Sequence, residues 1–317
     1  MKVLITDIDS PIAQELALNI LKSPKNQVIA AHSGQSIKMS LEHRNLRTVA
    51  LDLRKNRQIK QLFSSPTLEG LTHVVHHPIN TGADISKAKY HQLNVDSTRC
   101  LVESCEALPK QCDFIYFGSV EVYESHSFLP ALLTEDHPIN ISPHLDASLA
   151  ARIETDQYLA AQMGMIKTRI KLLRSAECLA PQCQGQLYSF LDQNPCFAPL
   201  GFDPMFNVIS PLDLANAIKL SLNYKKNGVF LIPGYETLPL SEIIEKAGKT
   251  AIPLPISALK AHSWFRDKNN RNNFNFTTNQ KRFRYGSVVL GDLAEKELAY
   301  TPKNPINWSS LSQTLST

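Results

Sequence analysis

The chain opens MKVLITDIDSPIAQELALNIL, Met1 to Leu21, and the reading of this stretch decides the fold. Val3, Leu4 and Ile5 form a short apolar run of the kind that fills a strand buried on both faces. Ala13, Leu16, Ala17, Ile20 and Leu21 then recur at helical spacing. Asp9-Ser10-Pro11 marks the change: Ser10 suits the residue that accepts from free helix N–H groups, and Pro11 suits the first helical position. A strand, a tight turn and the positive end of a helix follow one another, which is a seat for an anion.

Such a unit is of Rossmann type, and its turn ordinarily uses glycines so that phosphates can approach the backbone. The stretch resembles the opening of the extended short-chain dehydrogenase/reductase family, the NAD-dependent epimerase/dehydratase group, which reads T-G-x-x-G-x-x-G after its first strand. Thr6 matches, and Asp7, Ser10 and Ala13 stand at the three glycine positions. Ser10 and Ala13 are small enough to keep the turn. The Asp7 carboxylate instead competes with a diphosphate for the helix dipole, and Asp9 adds a second negative charge.

At 317 residues with 43% of them hydrophobic, the chain can build one large α/β unit and a smaller appended one. Its net charge of +4 is too mild to mark a nucleic-acid protein. The six cysteines, Cys100, Cys105, Cys112, Cys178, Cys183 and Cys196, form no C-x-x-C pair, so buried free thiols in a reducing cytosol are expected. No signal-like leader and no apolar run approaching a membrane span is visible, and the expectation is a soluble cytoplasmic protein with no membrane partner.

Working outward, Gln27 to Ala31 reads as a second strand, followed by His32 and Ser33. In the resembling family an acid at this point holds the adenosine ribose, or a base accepts a 2′-phosphate, so His32 leaves the choice between NAD and NADP unreadable. Arg47 to Leu53 reads as a third strand, with Asp52-Leu53 resembling the family's D-L near the adenine. Leu71 to His76 reads as a fourth and resembles V-V-H-x-A-A: His76 matches, while His77 and Pro78 replace small residues. His73, His76 and His77 invite a metal, but a strand turns positions 73 and 76 to opposite faces, and structural histidines are expected instead.

Ile85 to Leu108 carries a long helical pattern in which Asn94-Val95-Asp96-Ser97-Thr98 resembles N-V-x-G-T. The resemblance implies that Asn94 supports backbone near the active site; a surface amide is the plainer alternative. Asp113 to Tyr123 gives a fifth strand followed by S-x-x-V-Y, which places Ser119 at the family's catalytic serine or threonine and Tyr123 at its V-Y-G tyrosine. The family then uses P-Y-x-x-S-K, in which the lysine cation lowers the tyrosine pKa toward neutrality and grips the nicotinamide ribose. Here His144 follows Pro143, Ala147 replaces the serine and Ser148 replaces the lysine. One reading rebuilds a catalytic pair from Ser119 and His144, since an imidazole needs no lysine to move protons. The other leaves His144 a packed or solvated residue at a helix start.

His144 to Met163 and Ile85 to Leu108 correspond to the helix pair through which many relatives form dimers, and a homodimer is expected. Ile166 to Arg174 reads as the sixth strand, and Phe206 to Leu222, Gly228 to Gly234, Leu240 to Ala247 and Gly291 to Tyr300 resemble later family segments. Between His262 and Tyr285 six basic residues face the single acid Asp267, with aromatics interleaved. A small anionic ligand, a protein partner or a solvated surface are the readings of this segment, with nucleic acid the least favoured.

The fold expected is a doubly wound parallel sheet over 1–175, completed by 206–235, with a smaller α/β part built from 176–205 and 236–317. Loss of the turn glycines, the ribose acid, the tyrosine and the lysine together points to a degenerate family member that acts by binding, as a sensor, scaffold or regulatory partner. No cofactor and no metal are expected, with NAD or NADP the cofactor if there is one. The alternative is an NAD(P)-dependent epimerase, dehydratase or reductase using Ser119 and His144 on a sugar nucleotide or another small carbonyl or hydroxyl substrate.

Overall fold

Seven parallel strands make the central sheet: β1 (Lys2–Ile5), β2 (Gln27–His32), β3 (Leu46–Ala50), β4 (His73–His76), β5 (Asp113–Ser119), β6 (Arg169–Ser175) and β7 (Gly228–Ile232). The computed structural model describes residues 1–33, 43–79, 86–142, 145–180, 185–267 and 274–316. The strands lie in the order β7-β6-β5-β4-β1-β2-β3, so the chain grows one way from β1 to β3 and the other way from β4 onward. In open sheets of this kind the crevice forms above the carboxyl ends at that reversal, between β1 and β4.

Both faces of the sheet are covered, which is why apolar runs such as Val3 to Ile5, Val28 to Ala31 and Phe114 to Phe117 fill its inner strands. On one face, Ile12, Leu16 and Ile20 of helix Pro11–Leu21 pack with Leu214, Ala217 and Ile218 of helix Pro211–Ser221. On the other, Ile59 of helix Asn56–Phe63 packs with Leu101, Val102 and Cys105 of helix Ser97–Glu106. Helix Ala147–Gln162 serves both: Leu149 and Ile153 join the first cluster and Leu159 the second. Burying a side chain of this size contributes about 1.5–3 kcal/mol, so these clusters dominate the fold's stability.

The run read as one helix from residue 85 to 108 is broken. Helix Lys87–His91 passes through a π-helical turn, Gln92–Asp96, into helix Ser97–Glu106. The Ser97 hydroxyl donates to the Leu93 carbonyl and that of Thr98 to the Asn94 carbonyl, which draws these carbonyls away from the regular ladder.

A third apolar cluster gathers Leu187, Phe190, Phe206, Ile243, Phe283 and Leu311, beside the large sheet. Its strand Met205–Ile209 pairs antiparallel with Glu236–Pro239 and parallel with Glu177–Cys178. The join is tight at Gly234, where a Cβ would meet the Val208 carbonyl oxygen at 1.8 Å. Asn207 fixes the same point, its Oδ1 accepting from the Gly234 N–H at 2.7 Å. The five cysteines among the described residues are free and buried, and no described helix is long and apolar enough to cross a membrane.

Candidate functional site

The carboxyl ends of β1, β4, β5 and β6 open into a cavity of about 220 Å³. From β1 the chain enters it as Asp7, Asp9 and Ser10, from β4 as His77, from β5 as Ser119, and from β6 as Ser175. Ser10 precedes helix Pro11–Leu21 with extended dihedrals, φ −72° and ψ 133°, but its side chain makes no capping bond. Pro11 at the first helical position has no N–H to offer a ligand.

Asp7 spends one oxygen on its own turn, Oδ1 accepting the Asp9 N–H at 3.2 Å. The other oxygen, Oδ2, lies 3.5 Å from His77 Nε2. The His77 ring rests against Phe117 at 4.8 Å, with Nδ1 2.9 Å from the Pro78 carbonyl. A carbonyl only accepts, so Nδ1 carries the proton, and Nε2 has no hydrogen-bond partner among the described residues.

Arg152 and Glu177, which line the cavity, belong to a network of buried charges. Arg152, on helix Ala147–Gln162, pairs with Glu121, and Arg282 pairs with Glu177. Arg282 Nη1 also lies 3.5 Å from Glu121, which accepts the Gln186 N–H at 2.8 Å. Asn279 closes the network on Gln186 Oε1 at 2.7 Å. Burial alone raises the Glu121 carboxyl, but the Arg152 and Arg282 guanidiniums carry it below the usual carboxylate range. Burial pushes the Glu177 carboxyl up, against the pull of Arg282. Arg152 lines the cavity at 7% exposure, and its Nε, buried, has no partner among the described residues. A buried guanidinium N–H of this kind is costly to leave unbonded.

The residues singled out in the sequence fall in several places. Asp7, Ser10 and Ser119 line the cavity, and Ser119 Oγ accepts the Glu121 N–H at 3.1 Å. Ala13 is buried under the turn and His76 is buried below the strand ends; neither lines the cavity. His76 lies 2.7 Å from the Thr6 hydroxyl and 3.0 Å from that of Thr98, and burial pushes its pKa down to about 3. His73, turned to the other face, lies 2.9 Å from the Leu222 carbonyl. No group of metal-ligating side chains occurs among the described residues. Asp52 is held by Arg54 at 2.8 and 3.0 Å, and that hydrogen-bonded pairing keeps its carboxyl below the usual range. His32 ends β2.

Asn94 does not line the cavity either, but Oδ1 accepts the Ile79 N–H at 2.7 Å and Nδ2 donates to the Ile79 carbonyl at 3.1 Å. Ile79 is part of the cavity wall, so Asn94 fixes the chain leaving β4. Tyr123 is buried in the core, its hydroxyl taken by Arg174 at 2.6 Å. Ser148 donates to the Tyr90 hydroxyl at 3.1 Å. His144 lies outside the described residues.

The sequence gives no sign of a site role for Glu121, Arg152 or Glu177 beyond one spacing: Arg152 follows Ser148 by four residues, and so lies on the same helix face. Arg282 belongs to the basic segment for which an anionic ligand, a protein partner and a solvated surface are the readings; it is buried at 6% exposure and paired with Glu177. Its neighbours Lys281 and Arg284 reach Glu124 at 2.6 Å and the ring of Phe202 at 4.8 Å. Part of that segment's charge is therefore used within the fold; residues 268–273 lie outside the described residues.

The cofactor that the resemblance implies is a nicotinamide dinucleotide. The cleft's place in the sheet suits one, but the residues at the helix start do not fit a diphosphate. Asp7 and Asp9 set carboxylates there and Pro11 withholds a donor.

A family model described as NAD dependent epimerase/dehydratase family matches residues 4–185. Uncharacterized proteins of Mycobacterium tuberculosis and Mycobacterium bovis are 25% identical over 221 residues, 68% of this chain, and the match spans 57% of their own length. Among solved structures, UDP-glucose 4-epimerase of Thermotoga maritima, with UDP-glucose, is 16% identical with a TM-score of 0.72, covering 100% of this chain and 98% of that one. UDP-glucuronic acid 4-epimerase of Bacillus cereus, in complex with UDP-glucuronic acid and NAD, gives 17%, a TM-score of 0.69, and coverage of 100% and 97%. dTDP-glucose 4,6-dehydratase of Bacillus anthracis, in complex with NAD, gives 15%, 0.70, and 100% and 96%. At these identities the likeness to the solved structures is one of fold.

Proposed function

The chain belongs to the NAD dependent epimerase/dehydratase family, and from that premise we propose that it holds a small hydroxyl- or carbonyl-bearing ligand in the cleft between β1 and β4. The observation that carries this is the lining of one cavity, which brings Asp7, Ser10, Ser119, Ser175 and Arg152 together at the strand ends.

Family membership favours turnover, by an NAD(P)-dependent epimerase, dehydratase or reductase in which Ser119 and His144 handle protons. Use of the cleft for binding alone, as a sensor, scaffold or regulatory partner, is favoured by a specific observation. Ser148 stands where the family has its lysine and is engaged with Tyr90. Either use is compatible with a homodimer through helices Lys87–His91, Ser97–Glu106 and Ala147–Gln162, for which light scattering at micromolar concentration is the check.

Thermal unfolding with NAD+, NADH, NADP+, NADPH, UDP-glucose and free sugars separates the uses, because a ligand of the native state raises the midpoint. A rise with a dinucleotide supports turnover. A rise with UDP-glucose or a free sugar and with no dinucleotide supports binding. No rise with any member of the panel overturns the assignment of the cleft.

A further inference from the structure

Two parts of the cavity wall offer a ligand different things. One is Arg152, which lines the cavity with a side chain that is 7% exposed and whose Nε has no partner among the described residues. Its charge is already matched by Glu121, and that of Arg282 by Glu177, so this wall presents a donor rather than a net positive field. The other is Asp7, whose Oδ2 takes no hydrogen bond from the described residues and lies 3.5 Å from His77 Nε2. Asp9 sets a second carboxylate in the same wall. The cavity, about 220 Å³, is smaller than the roughly 300–1,000 Å³ usual for drug-sized ligands.

Resting on the reading of this cleft as a ligand site, we propose that it takes a phosphate-free polyol the size of one sugar or nucleoside, uncharged or cationic, and selects against diphosphates. A ligand hydroxyl donates to Asp7, and a ligand oxygen accepts from Arg152. Asp7 is then a specificity residue: its negative charge, close to the helix start, repels the anion that this turn would otherwise attract.

Calorimetric titration of the full chain with nicotinamide riboside, nicotinamide mononucleotide and NAD+ adds phosphate stepwise to one scaffold. The riboside is expected to bind at least about tenfold more tightly than NAD+, from one repelling charge at short range. Asp7→Asn keeps the bond to the Asp9 N–H and removes the charge, and is expected to narrow that ratio about tenfold. Arg152→Lys keeps the charge opposite Glu121 and is expected to weaken the riboside about tenfold with little change in melting temperature. NAD+ binding as tightly as the riboside, a ratio untouched by Asp7→Asn, or no binding of the riboside would each overturn the proposal. A sugar nucleotide or dinucleotide that raises the melting temperature in those cases leaves the cleft a ligand site with a different specificity.

Discussion

Ser148 on helix Ala147–Gln162 donates to the phenol oxygen of Tyr90 on helix Lys87–His91 at 3.1 Å. Tyr90 is buried, and burial raises its pKa, against the pull of Arg152. A phenol held neutral next to a serine is not a proton-transfer pair like tyrosine with lysine. Ser148→Ala is expected to lower stability by about 1 kcal/mol in urea unfolding, the worth of one such bond. Ser148→Lys adds a like charge four residues from Arg152, and a total of about 1–2 kcal/mol is expected.

Arg174 grips Asp156 with two hydrogen bonds, 2.7 and 3.0 Å, and both side chains are buried. Asp156→Ala strands a guanidinium in the core, and breaking a buried pair in this way costs about 3–5 kcal/mol. Urea unfolding of the variant is expected to show a midpoint lowered accordingly, with the m-value unchanged.

Acid sensitivity follows from the two buried histidines on β4. Burial pushes His73 down to about 4 and His76 to about 3, so both imidazoles are neutral in the folded chain at neutral pH. Unfolded, they take up protons near pH 6.5. The unfolded state therefore binds more protons between about pH 6.5 and pH 4, and stability falls as pH is lowered through that window. Each contributes a slope of up to about 1.4 kcal/mol per pH unit there. Proton NMR is expected to show the His76 ring resonances unshifted from pH 8 to pH 5; a midpoint near 6.5 would contradict the structure.

Gly234→Ala is expected to destabilise by several kcal/mol, since its methyl would meet backbone at 1.8 Å and no flexible side chain is there to move aside. The Asn207 bond to the Gly234 N–H would be displaced with it. A melting temperature within a degree of the wild type would show that the strands separate there without cost.

Much of the sheet could be read from short apolar runs, because a strand buried on both faces needs them: Val3 to Ile5, Val28 to Ala31 and Phe114 to Phe117 are such runs. Helix Pro11–Leu21 was announced by its spacing and by Pro11. The break at Gln92–Asp96 was not, since it depends on where Ser97 and Thr98 send their hydroxyls. The charged wall of the cleft was hidden for a different reason. Glu121, Arg152, Glu177 and Arg282 lie far apart in the chain and acquire meaning only when the fold pairs them. Arg282 shows the limit plainly: among other basic residues a solvated surface is one of its readings, and folding buries it against Glu177.

Pro11 fixes the helix start through its ring, whatever stands at position 7. Neutralising Asp7 would lift a repulsion, yet the missing amide hydrogen would still be missing. Phosphate recognition at this turn would thus call for changes at residues 7 and 11 together, since either substitution alone leaves the other obstacle in place.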